Sequence, residues 1–128
     1  MGTFDQFNNC GELKLPSGVT AFGEIPWQPN ASFEGVELKH IVTASQTGGK
    51  FSFHLVRIKP GKRIGMHMHD PQLETHEVIE GSGKCSNDGA EITYRPGVIS
   101  IFPAGIPHEV IAGDDGLCLF AKFIPALC

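Results

Sequence analysis

Residues 61–81 read GKRIGMHMHDPQLETHEVIEG, a segment that holds His67, His69 and His76, three of the chain's six histidines. Imidazoles and carboxylates are costly to bury unpaired, so their gathering in one segment calls for a compensating partner. On a strand, residues i and i+2 point to the same face, so His67 and His69 should project together. Pro71 lies in the loop that follows, where the chain can turn so that Glu74 faces the pair. A fourth donor, His108, stands far downstream in FPAGIPHEV, at the start of a strand that follows a Pro- and Gly-rich bend. Three nitrogens and one oxygen suit a divalent transition metal such as Fe, Mn, Ni, Co or Zn. Four protein ligands on an octahedral ion leave two positions for water, oxygen or substrate.

The flanking sequence has the rhythm of short strands. VELKHIVTA is strand-like, SQTGGK reads as a turn, and FSFHLVRI is a second strand closed by Lys59-Pro60-Gly61. GSGKCSNDGAEITY reads as a hairpin, because Asn87-Asp88-Gly89 is a strong tight-turn signal. VISIF and HEVIA follow, then a turn at residues 113–116 and a last strand, LCLFAKFI. No segment keeps a 3.6-residue period over any length, and steady short strands indicate an all-β sandwich or barrel. One domain spans 1–128. Residues 36–128 form the barrel, and residues 1–35, broken by Pro16, Pro26 and Pro29, form an arm that packs on the barrel or on a partner subunit.

The spacing of the donors resembles a known pattern. Gly61, five residues, His67-x-His69, four residues, Glu74, six residues and Gly81 match the first motif of the cupins in full. Gly97, five residues, Pro103-x-Gly105, two residues and His108 resemble the second. The second motif usually ends in Asn four residues after its histidine; here that position is Ala112, which puts a supporting hydrogen bond in doubt. The resemblance implies a small antiparallel jelly-roll β-barrel with a metal held inside it by His67, His69, Glu74 and His108. It also implies a metal-dependent oxidoreductase (dioxygenase), isomerase or lyase acting on a small polar or carbohydrate-like molecule. The Ile25-Pro26-Trp27 start, the length and the single barrel resemble small cupins that process unsaturated or keto sugars. The rival reading is a non-catalytic binding or sensing cupin, whose metal holds a ligand or pins the barrel.

Other residues carry alternatives. His76, two after Glu74, shares the ligand face as a general acid/base, a hydrogen-bonding support, a fifth ligand, or a histidine satisfied in a polar barrel mouth. His54 faces either the cavity or the outer packing layer, since a one-residue slip reverses a strand's faces. Tyr94 and Phe102 are candidates for the substrate pocket or for the core. Arg57, opposite His54, either clamps a substrate carboxylate or is a solvated outward charge. His40 reads as a surface residue, and Trp27 as the arm's packing anchor.

Composition narrows the partners. A net charge of −4 with 19% charged residues argues against a nucleic-acid surface. No apolar run reaches membrane-spanning length. The four cysteines are far apart with no CxxC pair, so neither zinc-finger nor redox-motif readings gain support. Cys118 reads as a buried small hydrophobe. The start lacks a signal-peptide profile, and a cytoplasmic protein with reduced thiols is expected. Cupins commonly pair through their sheets. A homodimer is therefore expected, with the C-terminal LCLFAKFIPAL and the N-terminal arm as its surface.

Overall fold

The computed structural model describes residues 2–128. After a helical turn α1 (Thr3–Asp5) and a π-type turn (Gln6–Cys10), the strands are β1 (Glu12–Leu15), β2 (Gly18–Ala21), β3 (Gln28–Pro29), β4 (Val36–Val42), β5 (Ser52–Ile58), β6 (Arg63–His67), β7 (Leu73–Asn87), β8 (Ala90–Tyr94), β9 (Ile99–Phe102) and β10 (His108–Ile124). All pairings are antiparallel. Two long strands, β7 and β10, pair along their whole length and bend together. They carry one continuous eight-stranded sheet that folds into two facing layers: residues 73–80 and 117–124 join β3, β4, β5 and β9 in the first sheet layer, and residues 81–87 and 108–112 join β6 and β8 in the second. The two layers face each other as the jelly-roll barrel the motifs imply.

The bends explain a difference from the sequence reading. The residues 113–116 expected to form a turn are a bulged bend inside β10, where the register jumps from Ala112 to Leu117. A bulge shifts which side chains face inward. His108, Val110 and Ala112 are buried before it, and Leu117, Leu119, Ala121 and Phe123 after it. In β7 the switch falls at Ile79: Glu74, His76 and Val78 are buried before it, and Cys85 after it. The two bends cross at close quarters. A Cβ on Gly81, whose φ is +86°, would lie 2.2 Å from the Gly116 carbonyl oxygen, so only glycine fits.

Between the layers lies an apolar core that includes Val56, Val78, Tyr94, Phe102, Leu119 and Phe123. The arm as far as Trp27 packs on the outer face of the first sheet layer, where Phe4 and Phe22 meet Ile41, Val42 and Leu55. Trp27 anchors this arm: its indole N–H donates to Asn8 Oδ1 at 3.1 Å, and the Arg57 guanidinium sits 4.0 Å from its ring centroid. Beneath the arm, the buried Lys39 ammonium donates to the Phe22 carbonyl at 2.8 Å.

Two further expectations need correction. SQTGGK is not a plain turn; it begins as a helical turn, α2 (Ala44–Thr47), closed by left-handed Gly48. Most of the C-terminal run is not free surface, because Leu117, Leu119, Ala121 and Phe123 fill the core while Cys118 and Phe120 pack under the arm; Ile124 and Leu127 are exposed. The hairpin at 87–90 forms as read, with Asp88 and Gly89 both at positive φ. No helix among the described residues is long and apolar enough to cross a membrane.

Candidate metal centre

His67 ends β6, His69 lies in the loop beyond it, Glu74 sits near the start of β7 and His108 opens β10. His108 and His67 are cross-strand neighbours, with ring centroids 4.3 Å apart. His69 is therefore not on the strand that alternation assumed, yet its ring lies 4.9 Å from that of His67. The donor atoms of all four residues fall within 4.8 Å of one another. Glu74 and His108 are buried; His67 and His69 face the opening.

The hydrogen bonds preset this group. His67 Nδ1–H donates to the Gly65 carbonyl at 2.7 Å, and His108 Nδ1–H to the Ile106 carbonyl at 2.9 Å. A carbonyl only accepts, so in both neutral rings the lone pair is on Nε2. His108 Nε2 lies 2.9 Å and His69 Nε2 3.3 Å from Glu74 Oε1. Lone pairs meeting a carboxylate oxygen need a cation or a proton between them, and that donor chemistry fits a divalent ion.

The same contacts govern how these groups hold protons. Burial works against the Glu74 carboxylate, yet the hydrogen bonds from His108, His69 and His76 hold it well below the usual range. Burial likewise disfavours the His108 imidazolium, but the Glu74 carboxylate and the Ile106 carbonyl raise it above its ordinary value. His67 is lowered, chiefly by burial. Without an ion, a proton between His108 and Glu74 satisfies both.

His76 stands directly behind Glu74. Its Nε2 lies 2.8 Å from Glu74 Oε2 and its Nδ1 2.9 Å from the Tyr94 hydroxyl. Burial, with the Cys85 thiol beside it, pushes the Tyr94 phenol above its ordinary value, so Tyr94 O–H donates to His76 and His76 Nε2–H donates to Glu74. Phe102 stacks on the His108 ring at 4.1 Å and 18°. Tyr94 and Phe102 are fully buried behind the donors. His54 is on the inward face, behind Phe123, with ring centroids 5.5 Å apart. Arg57 points outward, bonded to Glu37 at 3.0 Å and laid on Trp27. It does not reach the centre. Ala112 fills apolar core and its N–H donates to the Lys62 carbonyl at 2.9 Å, so no Asn side chain is needed there.

Three of the donors, His67, His69 and Glu74, line a cavity of about 280 Å³ whose opposite walls include Phe33, Leu38, Val56, Ile64 and Phe123. The arm's part in it was missed from sequence. Asn30 Oδ1 accepts the N–H groups of Ser32 at 2.8 Å and Phe33 at 3.1 Å, a turn that brings the Phe33 ring within 6.0 Å of His67. The Asn at position 30, three residues before an aromatic, was the available signal.

The Cupin domain family model matches residues 54–121, which contain all four donors. The chain belongs to the cupin family. Over 76 residues this cupin is 22% identical to the oxalate-binding protein of Thermotoga maritima, covering 59% of this chain and 63% of that one. Over 58 residues it is 36% identical to the dimethylsulfoniopropionate lyase DddW of Ruegeria pomeroyi, covering 45% and 38% respectively. The matched part spans less than two thirds of either relative. Among solved structures, a predicted oxalate decarboxylase of T. maritima superposes with a TM-score of 0.74 at 22% identity, covering 80% of this chain and 95% of that one. KdgF from Halomonas sp. gives 0.71 at 18% identity, covering 80% and 88%. At such identities the superpositions establish the fold.

Proposed function

We propose that this cupin is a metal-dependent enzyme acting on a small polar molecule, of dioxygenase, isomerase or lyase type. His67, His69, Glu74 and His108 would hold one divalent ion. The observation that carries the reading is their convergence at one end of a small cavity, with two imidazoles already turned Nε2-first by backbone carbonyls. Such an ion supplies Lewis-acid polarisation of a carbonyl or carboxylate, activation of water or, if iron, oxygen chemistry.

The chain's own residues supply the rest. His76 fixes the Glu74 carboxylate through Nε2–H while Tyr94 sets its tautomer, and as the proposed acid/base it would move its Nε2 proton to and from Glu74 Oε2 at the cavity wall. Phe33 and Phe123 exclude water from the bound molecule. With Arg57 outside, an anionic group would be oriented by the ion and the histidines. The name of the Thermotoga relative favours a second reading, a protein that binds a small carboxylate without turning it over.

The test is an assay of the metal-loaded protein against small keto acids, dicarboxylates and sugar acids. Metal-dependent turnover that is lost in Glu74→Gln supports the enzyme. Metal-dependent thermal stabilisation by one of them without turnover overturns the enzyme in favour of the binder. A homodimer is also proposed, the exposed Ile99 and Ile101 of β9 being consistent with it. Sedimentation showing only a 13.8 kDa species would refute it.

A further inference from the structure

A second group of metal donors lies on the other side of Phe123. His40 of β4 and His54 of β5 are direct cross-strand partners, so their rings stand on the same face of the sheet. Their Nδ1 atoms are 2.7 Å apart. His40, expected at the surface, is half-buried against His54. Cys128 completes the group, and the donor atoms of the three residues lie within 4.8 Å of one another. The Phe123 ring separates them from the first centre, its centroid 5.5 Å from that of His54 and 5.1 Å from that of His69.

The segment that carries Cys128 is fixed by three backbone contacts. Ala126 N–H donates to the Gly49 carbonyl at 3.1 Å, Leu127 N–H to Ser52 Oγ at 2.8 Å, and the Cys128 carbonyl accepts from Ala44 N–H at 2.7 Å. The buried Ser52 hydroxyl also lies 2.8 Å from His54 Nε2. One hydroxyl thus anchors both an imidazole and the segment bearing the thiol. Ser52 Oγ has two lone pairs; it accepts from Leu127 N–H and, when Nε2 carries the ring proton, from His54 as well. In that tautomer His54 Nδ1 accepts from His40 Nδ1–H, and Ser52 is the hydrogen-bonded outer partner that orients a metal-binding histidine.

The donor chemistry differs from that of the first centre. Burial lowers the titration of His40 and brings that of His54 to about 4, so both rings are neutral near pH 7, as ligation requires. Two imidazoles and a thiolate form a softer set than three imidazoles and a carboxylate, and suit Zn²⁺ over Mn²⁺ or Mg²⁺. Tetrahedral Zn²⁺ keeps N and S donors roughly 3.3–3.6 Å apart. The Nδ1 pair must open slightly and the thiol, already within 4.8 Å, must close the remainder, which rotation of the exposed Cys128 side chain about χ1 allows.

We propose that His40, His54 and Cys128 form a second, thiolate-containing zinc site that clamps the segment 126–128 to β4 and β5. Zn²⁺ binds as His40 exchanges its Nδ1 proton for one on Nε2 through solvent and the Cys128 thiol gives up its proton to solvent, and water takes the fourth position. Leu127, which borders the cavity of the first centre, is held in place by the clamp.

A cobalt–thiolate band reports on this site alone, because the first centre has no sulfur donor. Tag-free full chain, reduced with a phosphine and stripped of metal, is titrated with Co²⁺ and then with Zn²⁺. A near-ultraviolet thiolate-to-cobalt charge-transfer band is expected in the wild type and in His67→Ala/His108→Ala. It is expected to be absent in Cys128→Ser and bleached by Zn²⁺. Zinc stoichiometry should fall from two per chain to one in Cys128→Ser. No band from folded wild type, or a band that survives in Cys128→Ser, overturns the proposal.

Discussion

Tyr94→Phe is the most informative single change behind the metal centre. The ring stays, so no cavity opens, and only the hydroxyl that donates to His76 Nδ1 at 2.9 Å is lost. Both residues are fully buried, so water cannot replace the donor. A buried acceptor left unpaired costs about 1–3 kcal/mol. For 128 residues the unfolding entropy is about 0.27 kcal/mol per kelvin, so the melting temperature should fall by about 4–11 °C. The assay is thermal unfolding of the metal-stripped protein, repeated in a His76→Leu background as a double-mutant cycle. In that background the hydroxyl keeps only Cys85 and Ser100 beside it, and Tyr94→Phe should cost less than in the wild type by about 0.5 kcal/mol or more. In the metal-loaded protein, loosening His76 should also weaken metal affinity by about 10–100-fold. A variant that melts within about 1 °C of wild type, or an equal cost in both backgrounds, refutes the Tyr94–His76–Glu74 chain.

Three other outcomes follow from the fold. Gly81→Ala places a Cβ 2.2 Å from the Gly116 carbonyl at a φ of +86°. It should cost more than about 3 kcal/mol in urea unfolding, and a loss below about 0.5 kcal/mol would contradict the crossed bends. Trp27→Ala removes the arm's anchor from Asn8 and Arg57 and should cost about 2–3 kcal/mol; limited proteolysis should then cut within residues 1–35 first, and an arm as resistant as wild type would count against its packing role. Burial, with the Glu80 carboxylate, pushes the Cys118 thiol up to about 11, so at pH 8 roughly one chain in a thousand carries its thiolate. It should alkylate far more slowly than exposed Cys10. Because the folded value is raised above 9, this contribution to stability is complete below pH 9 and is lost as pH rises through about 11, a loss that Cys118→Ser should reduce.

The parts legible in the sequence were those set by local spacing. The interval from Gly61 through His67, His69 and Glu74 to Gly81, with His108 after its Pro-Gly bend, located the four donors, and Asn87-Asp88-Gly89 located the hairpin. What the sequence did not disclose depends on register and on contacts between distant segments. The bulges at Ile79 and at residues 113–116 switch the inward face within a continuous strand, so a run that reads as strand, turn, strand is one bent strand. His40 looked like a surface residue beside Lys39, because its partner is set by pairing with β5. The Tyr94 contact with His76 joins residues 18 apart, and no local pattern marks it. Asn30 and Phe33 reach the cavity only because the arm folds back over the barrel.

The central claim is that His67, His69, Glu74 and His108 hold one divalent ion. Elemental analysis of tag-free Cys128→Ser protein, beside the same protein carrying His67→Ala and His108→Ala, tests it with the thiolate site removed. The account predicts about one ion per chain in the first and none in the second. A folded Cys128→Ser protein that stays empty after exposure to iron, manganese, cobalt, nickel and zinc, or an ion retained when both histidines are gone, would contradict it.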